Sequence, residues 1–483
     1  MKLRTAISQV KGLQHLVESM QLQSGLGKRY LLDMPMMYQA CEVKNELDKV
    51  NRIYSILGGK KAGLITKIQT KLMQVRDIKG SIKNLKANMV LDDIELFEIK
   101  SFALVSYEIL QLQAEFETTL IEIPDLNSVI SILDPENNKI PSFYIYDAYS
   151  RELARVRKEI KELKAAIKAN PEKHTDQNLE ALQSHSEEVE AEVRAEICEK
   201  LYPYASELEN ALNQVAHLDV ITAKAILAES MAFTRAQISE SGTEYKAMFH
   251  PQIRETLALS KRNFQPINIR LNHSVCFITG ANMAGKTVIL KTLALCQYLL
   301  QFGFFVPAQS AQIALVDRIL VSVGDDQSEQ NGLSSFASEM VKINEMVEAS
   351  IQKEIVLVLV DELARTTNPT EGRAIVNAVA EIFNENQTLS VITTHYSGLD
   401  SRCRKLRVKG LDKEFKPGEI NKNNINDYMD YSLIEDDATK VPHEALRIAG
   451  ILGINHQIIE KANKNLLKPE GFEIKEEETK SYI

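Results

Sequence analysis

A chain of 483 residues with 44% hydrophobic and 25% charged residues has the balance of a globular protein, in about three structural units at ~150 residues each. The net charge of −9 excludes a polycation that holds nucleic acid by overall charge, so any such contact must come from a local patch. No apolar run reaches a ~20-residue membrane span or a signal peptide, and five scattered cysteines without CxxC spacing argue against a disulfide framework or a zinc site and fit a reducing, cytoplasmic setting.

From Met1 to about Ala228 the sequence is rich in Leu, Ile, Lys, Glu and Gln, with apolar residues at three-and-four spacing; this predicts an all-α region over residues 1–228. Within it Lys60 to Lys86 carries eight Lys/Arg against Asp77 alone, with Lys67 and Lys71, then Lys79, Lys83 and Lys86, at helical intervals. Such a stripe is either a solvated helix face or a contact for a phosphate backbone or an acidic partner. No aromatic residue lies between these lysines, so stacking on single-stranded bases is not expected there.

Residues 150–205 read as a short helical hairpin broken at Asn170-Pro171, where proline stops the first arm. The first arm is basic, net +4 over 151–169, and the second acidic, net −5 over 178–200. Antiparallel arms of this kind cancel each other's field, which argues against a DNA-gripping arm.

The texture then changes to short apolar runs between amphipathic segments, the pattern of an α/β domain, placed at residues 229–466. Val275-Cys-Phe-Ile-Thr279, Ile355-Val-Leu-Val-Leu-Val360 and Leu389-Ser-Val-Ile-Thr393 read as strands of a sheet covered on both faces. Residues 467–483, with Lys475-Glu-Glu-Glu-Thr-Lys480, read as a flexible tail.

Between the first of these strands and a helical pattern stands Gly280-Ala-Asn-Met-Ala-Gly285-Lys286-Thr287, which fits G-x-x-x-x-G-K-[ST]. Gly280, Asn282 and Gly285 belong to a loop whose backbone N–H groups curl around phosphates. Lys286 supplies a point charge to the β- and γ-phosphates, and the Thr287 hydroxyl a ligand for Mg²⁺. Asp361 ends the second run and is placed to hold the magnesium shell, with Glu362 beside it to polarise an attacking water. His395, after the third run, could stabilise the charge developing on the γ-phosphate. Gly332-Leu-Ser-Ser-Phe-Ala-Ser-Glu339 opens a helix with Ser334 and Ser335, either an ordinary cap or an anion contact. The predicted activity is ATP hydrolysis with ATP and Mg²⁺ bound.

Taken together, these motifs with Phe305-Val-Pro-Ala-Gln309 and Thr394-His-Tyr396 resemble the ATPase domain of the MutS family, a branch of the ABC-type ATPases, over about Leu218 to Leu466. The helical half resembles that family's core and lever helices more faintly, through Gly25-Leu-Gly-Lys-Arg-Tyr-Leu-Leu and Leu218-Asp-Val-Ile. The implied fold is multidomain: an all-α core and lever region with its hairpin, then an α/β P-loop ATPase domain of ABC type. The resemblance implies that Phe264 stacks on adenine. It also implies that Ser334 or Ser335 contacts the γ-phosphate of an opposite subunit, in a homodimer or a heterodimer with a related chain. By the same resemblance the family's mismatch-reading and connector domains and a nuclease tail are expected to be absent. Leu363-Ala-Arg-Thr-Thr-Asn-Pro-Thr-Glu-Gly372 departs from the family's glycines at this place. The client implied is DNA, with the Lys60–Lys86 stripe a possible contact. A second reading makes the chain a reactivating factor for an adenosylcobalamin-dependent lysine or ornithine aminomutase, because short MutS-like ATPases with a similar Asn-Pro loop have that association. A passive nucleotide-binding scaffold is disfavoured by the intact Glu362 and His395.

Overall fold

The computed structural model describes residues 1–169, 176–281, 284–323, 335–365, 367–411, 425–436 and 444–466. The chain divides into two compact units. One comprises Met1–Met37, Cys41–Phe233 and Phe302–Phe305, and the other Tyr38–Ala40, Thr234–Gln301 and the residues from Val306 on.

The first unit is helical: α1 (Leu3–Gln9), α2 (Lys11–Ser19), α3 (Gly25–Asp33), α4 (Ala40–Leu57), α5 (Ala62–Leu72), α6 (Lys79–Lys86), α7 (Asp93–Gln113), α8 (Asn127–Leu133), α9 (Arg151–Ala169), α10 (Asp176–Leu201) and α11 (Ala205–Met231). Asp92 starts α7 with a capping box, its side chain taking the Glu95 N–H while Glu95 takes its own. The centre of the unit is α11, buried on every side from Val215 to Ala225. The polar groups it carries inward are paired. Asp219 accepts from the N–H groups of Gln23 and Ser24 and from Ser24 Oγ at 2.7–3.0 Å, fixing the start of α3. Gly27 leaves that carboxylate its room, because a Cβ there would lie 2.3 Å from Asp219 Oδ2. Lys224 donates to Glu46 Oε1 and to the Phe302 carbonyl, both at 2.8 Å, and His217 Nε2 lies 2.8 Å from Glu46 Oε2.

The basic stretch of residues 60–86 is divided between α5 and α6, and several of its lysines have partners. Lys71 pairs with Glu108 at 2.6 Å, Lys86 with Glu209, and Lys61 donates to the Glu115 carbonyl at 2.8 Å. The arms α9 and α10 pack together and are linked by Arg157–Glu190 at 2.9 Å and His185–Glu152 at 3.3 Å. Residues 170–175, which include Asn170-Pro171, lie outside the described residues.

The second unit contains β1 (Gln237–Ser239), β2 (Thr243–Met248), α12 (Pro251–Leu259), β3 (Ile267–Leu271), β4 (Val275–Thr279), α13 (Lys286–Gln301), β5 (Ser310–Ala314), β6 (Arg318–Ser322), α14 (Ser335–Ile351), β7 (Val356–Val360), α15 (Pro369–Glu385), β8 (Leu389–Thr393), β9 (Arg404–Leu411), β10 (Met429–Glu435), α16 (Glu444–Ile451) and α17 (His456–Leu466). A smaller sheet has the order β1-β5-β2-β3 and a larger one β10-β9-β4-β8-β7-β6. In the larger sheet β9, β4, β8, β7 and β6 run parallel, and β10 closes one edge antiparallel to β9. β7 and β8 are buried at every position, as interior strands of a covered parallel sheet must be. Phe277, Val358, Val360 and Ile392 pack with Met346, Val376 and Phe383 of α14 and α15. The register pairs Ile278 with Thr393 and Val360 with Ile392, so β4, β8 and β7 end side by side. The tail at 467–483 lies outside the described residues.

Candidate active site

The carboxyl ends of adjacent parallel strands are where an α/β sheet leaves room for a ligand. After β4 the chain turns through Gly280 at φ +136° and Gly285 at φ +77°, values open to glycine and strained for any other residue. Lys286 then opens α13. Its ammonium is buried, donating to the carbonyls of Gly280 and Ala281 at 2.7 and 3.3 Å and standing 3.2 Å from His395 Nε2. Burial lowers the pKa of this ammonium, opposed by the carboxylates of Glu362 and Asp361.

Asp361 follows β7. Thr287 Oγ1 donates to its Oδ2 and Thr393 Oγ1 to its Oδ1, each at 2.6 Å, while Thr393 Oγ1 also accepts the Glu362 N–H at 2.9 Å. Glu362 Oε1 lies 2.6 Å from His395 Nε2 and 3.9 Å from Lys286 Nζ, and Oε2 accepts from Arg365 at 3.0 Å. Burial by itself would raise the Glu362 carboxyl; His395, Arg365 and Lys286 together hold it below the ordinary glutamate value. The arrangement is an oriented carboxylate beside a buried ammonium and an imidazole, next to a hydroxyl–carboxylate pair. Chemically it can hold an anion and align a water for attack.

Beside the loop lies a mainly apolar cavity of about 320 Å³, lined among others by Phe264, Gln265, Gly285, Val288, Thr292 and Tyr431. Gln265 ties its wall to β10, donating to Asp430 Oδ1 at 2.8 Å and accepting the Tyr431 N–H at 2.9 Å.

Residues 276–469 match the family described as MutS domain V. This stretch is similar in sequence to proteins of the MutS family. The chain is similar to the endonuclease MutS2 of Thermus thermophilus, 35% identical over 46% of this chain and 28% of that protein. Against the endonuclease MutS2 of Carboxydothermus hydrogenoformans it is 31% identical over 61% of this chain and 36% of that protein. The DNA mismatch repair protein MutS of Thermus thermophilus is 32% identical over 49% of this chain and 28% of that protein. The chain thus spans roughly a third or less of the length of these curated relatives.

In this chain, Lys286, Thr287, Asp361, Glu362 and His395 come together at the ends of β4, β7 and β8, and Phe264 lines the adjoining cavity. Asn282 and Ser334 lie outside the described residues, and Ser335 is described only as the first residue of α14. Tyr431 on the cavity and Thr393 beneath Asp361 are given no role by sequence reasoning. Only Thr393 leaves a signal, as a hydroxyl at the end of a mostly apolar run.

Proposed function

We propose that this MutS-family chain binds ATP with Mg²⁺ and hydrolyses it, with Lys286, Glu362 and His395 as its catalytic residues. The observation that carries this reading is the Glu362 carboxylate, poised between His395 and Arg365 beside the Thr287–Asp361 pair. In this reading the loop from Gly280 through Asn282 to Gly285 cradles the phosphates, and the Lys286 ammonium turns from its loop carbonyls to the β- and γ-phosphates. Phe264 packs on the base in the apolar cavity. Thr287 and Asp361 offer an all-oxygen donor set, which suits a hard cation such as Mg²⁺. A bound Mg²⁺ supplies charge neutralisation on the phosphate oxygens. Glu362 orients the water whose oxygen bonds to the γ-phosphorus as the bond to the bridging oxygen breaks, and His395 faces the negative charge that develops.

The arrangement is of ABC type in our reading, with Ser334 or Ser335 completing the site of a second subunit, homodimeric or heterodimeric. The names of the relatives, DNA mismatch repair protein and endonuclease, favour DNA as the client. Among the described residues no helix is long and apolar enough to cross a membrane.

Phosphate release from ATP by wild type, Glu362→Ala and Lys286→Ala tests the reading. Glu362→Ala is expected to bind nucleotide and lose turnover, Lys286→Ala to lose both, and normal hydrolysis by Glu362→Ala would overturn it. Adding duplex or branched DNA at low and high salt tests the client, since a backbone contact weakens steeply with salt. Stimulation by an inactivated aminomutase, with none by DNA, would move the client to protein.

A further inference from the structure

The turn after β7 is held in a conformation its sequence does not favour. Glu362 and Ala364 both have left-handed backbones, φ +52° and +59°, and neither is glycine. Within the turn the Arg365 N–H donates to the Glu362 carbonyl at 3.2 Å. The fully buried Ala364 is gripped at both faces of its backbone. Its N–H donates to Glu339 Oε1 of α14 at 2.7 Å, and its carbonyl accepts from the Tyr396 hydroxyl at 2.7 Å. Tyr396 directly follows His395, and its hydroxyl fits because Gly372 of α15 has no side chain: a Cβ there would meet it at 2.2 Å. Glu339 is half-buried, and burial raises its carboxyl pKa, so its place there is one that costs desolvation.

We propose that Glu339 and Tyr396 are positioning residues for hydrolysis, clamping the left-handed turn at Ala364 so that Glu362 meets His395 and the water it activates. The proposal rests on the ATPase reading of the same site. Neither side chain touches the reacting atoms. Glu339 acts through the Ala364 N–H and links α14, which Ser335 opens, to the residue that drives hydrolysis. Tyr396 acts through the Ala364 carbonyl and links the same turn to the His395 loop. Two hydrogen bonds from different elements offset the strain of a left-handed alanine, and Gly372 keeps the space open.

The test pairs steady-state ATP turnover with hydrogen exchange over residues 362–365 in wild type, Glu339→Ala, Glu339→Gln and Tyr396→Phe. Glu339→Ala and Tyr396→Phe are expected to lose roughly ten- to a hundred-fold in kcat with little change in KM, as small misplacements of a reacting group do. Exchange at 362–365 should rise in both. Glu339→Gln, whose amide oxygen still accepts the Ala364 N–H, should recover most of the turnover and protection. Gly372→Ala, which pushes on the Tyr396 hydroxyl without removing it, should mimic Tyr396→Phe. Wild-type kcat and unchanged exchange in Glu339→Ala would overturn the clamp. Absence of turnover in the wild type would sink the ATPase reading instead, and exchange at 362–365 would still decide the clamp.

Discussion

Thr287 Oγ1 donates to Asp361 Oδ2 at 2.6 Å across 74 residues of sequence, and Thr393 Oγ1 holds the other carboxylate oxygen at the same distance. A hydroxyl in the first turn of α13 and another at the end of β8 thus aim one carboxylate at the end of β7. If Asp361 serves a cation, Asp361→Asn should weaken nucleotide binding in Mg²⁺ by about ten-fold or more while hardly altering it in EDTA. Equilibrium titration of a fluorescent ATP analogue in the two buffers checks this. Equal losses in both would mean that Asp361 only braces the sheet.

The state of Glu362 sets a pH signature. Its folded value lies below the ordinary glutamate value through His395, Arg365 and Lys286, so it stays ionised across the neutral range. The acid limb of kcat/KM should therefore fall below the usual ~4.3 of a glutamate. His395→Gln removes the strongest of the lowering partners, so the limb should move to higher pH. At pH 7 the variant should also lose roughly 10²- to 10³-fold in kcat, the scale of one lost charge-stabilising group. An unmoved limb would detach His395 from Glu362.

The cavity beside Gly285 separates base from phosphate recognition. Phe264→Ala and Tyr431→Ala remove aromatic area from its lining and should each weaken ATP binding by about 1–2 kcal/mol, the worth of a ring contact with its buried area. Inorganic tripolyphosphate, which has no base, should bind both variants as it binds the wild type. Competition by tripolyphosphate and by ATP against one labelled nucleotide reads both affinities.

Much of the site is legible because its chemistry needs fixed residues at strand ends. Asp361 and Glu362 follow a continuous apolar run, His395 follows a mostly apolar one, and Lys286 closes the loop after a third; interior parallel strands have to read that way. β3, with burial alternating residue by residue, and the irregularly buried edge strand β10 give no such signal. With β10 unread, Tyr431 cannot be assigned to the cavity. The contact of Glu339 with Ala364 is hidden for a different reason. It depends on a left-handed backbone at alanine, which no local propensity announces. The basic stretch of residues 60–86 looks like one stripe only while its partners, Glu108 and Glu209, are unseen.

In the helical unit, Glu46 joins the buried Lys224 and His217 and ties α4 to α11. Burial alone would raise its carboxyl, but Lys224 and His217 hold it well below the usual range. A carboxyl with a depressed folded value contributes stability that is present above its unfolded value and lost as pH falls through the folded one. Glu46→Gln leaves the Lys224 ammonium buried against a neutral amide and should destabilise the unit by about 3–5 kcal/mol at pH 7. The gap to wild type should narrow as pH falls below the ordinary glutamate value of ~4.3. Adding Lys224→Met should restore much of the loss, because the pair then carries no desolvated charge. Urea unfolding at pH 7 and at pH 3, followed by far-ultraviolet circular dichroism because the chain has no tryptophan, measures the wild type and both variants. A gap that stays constant with pH would show that the Glu46 charge adds nothing to the fold.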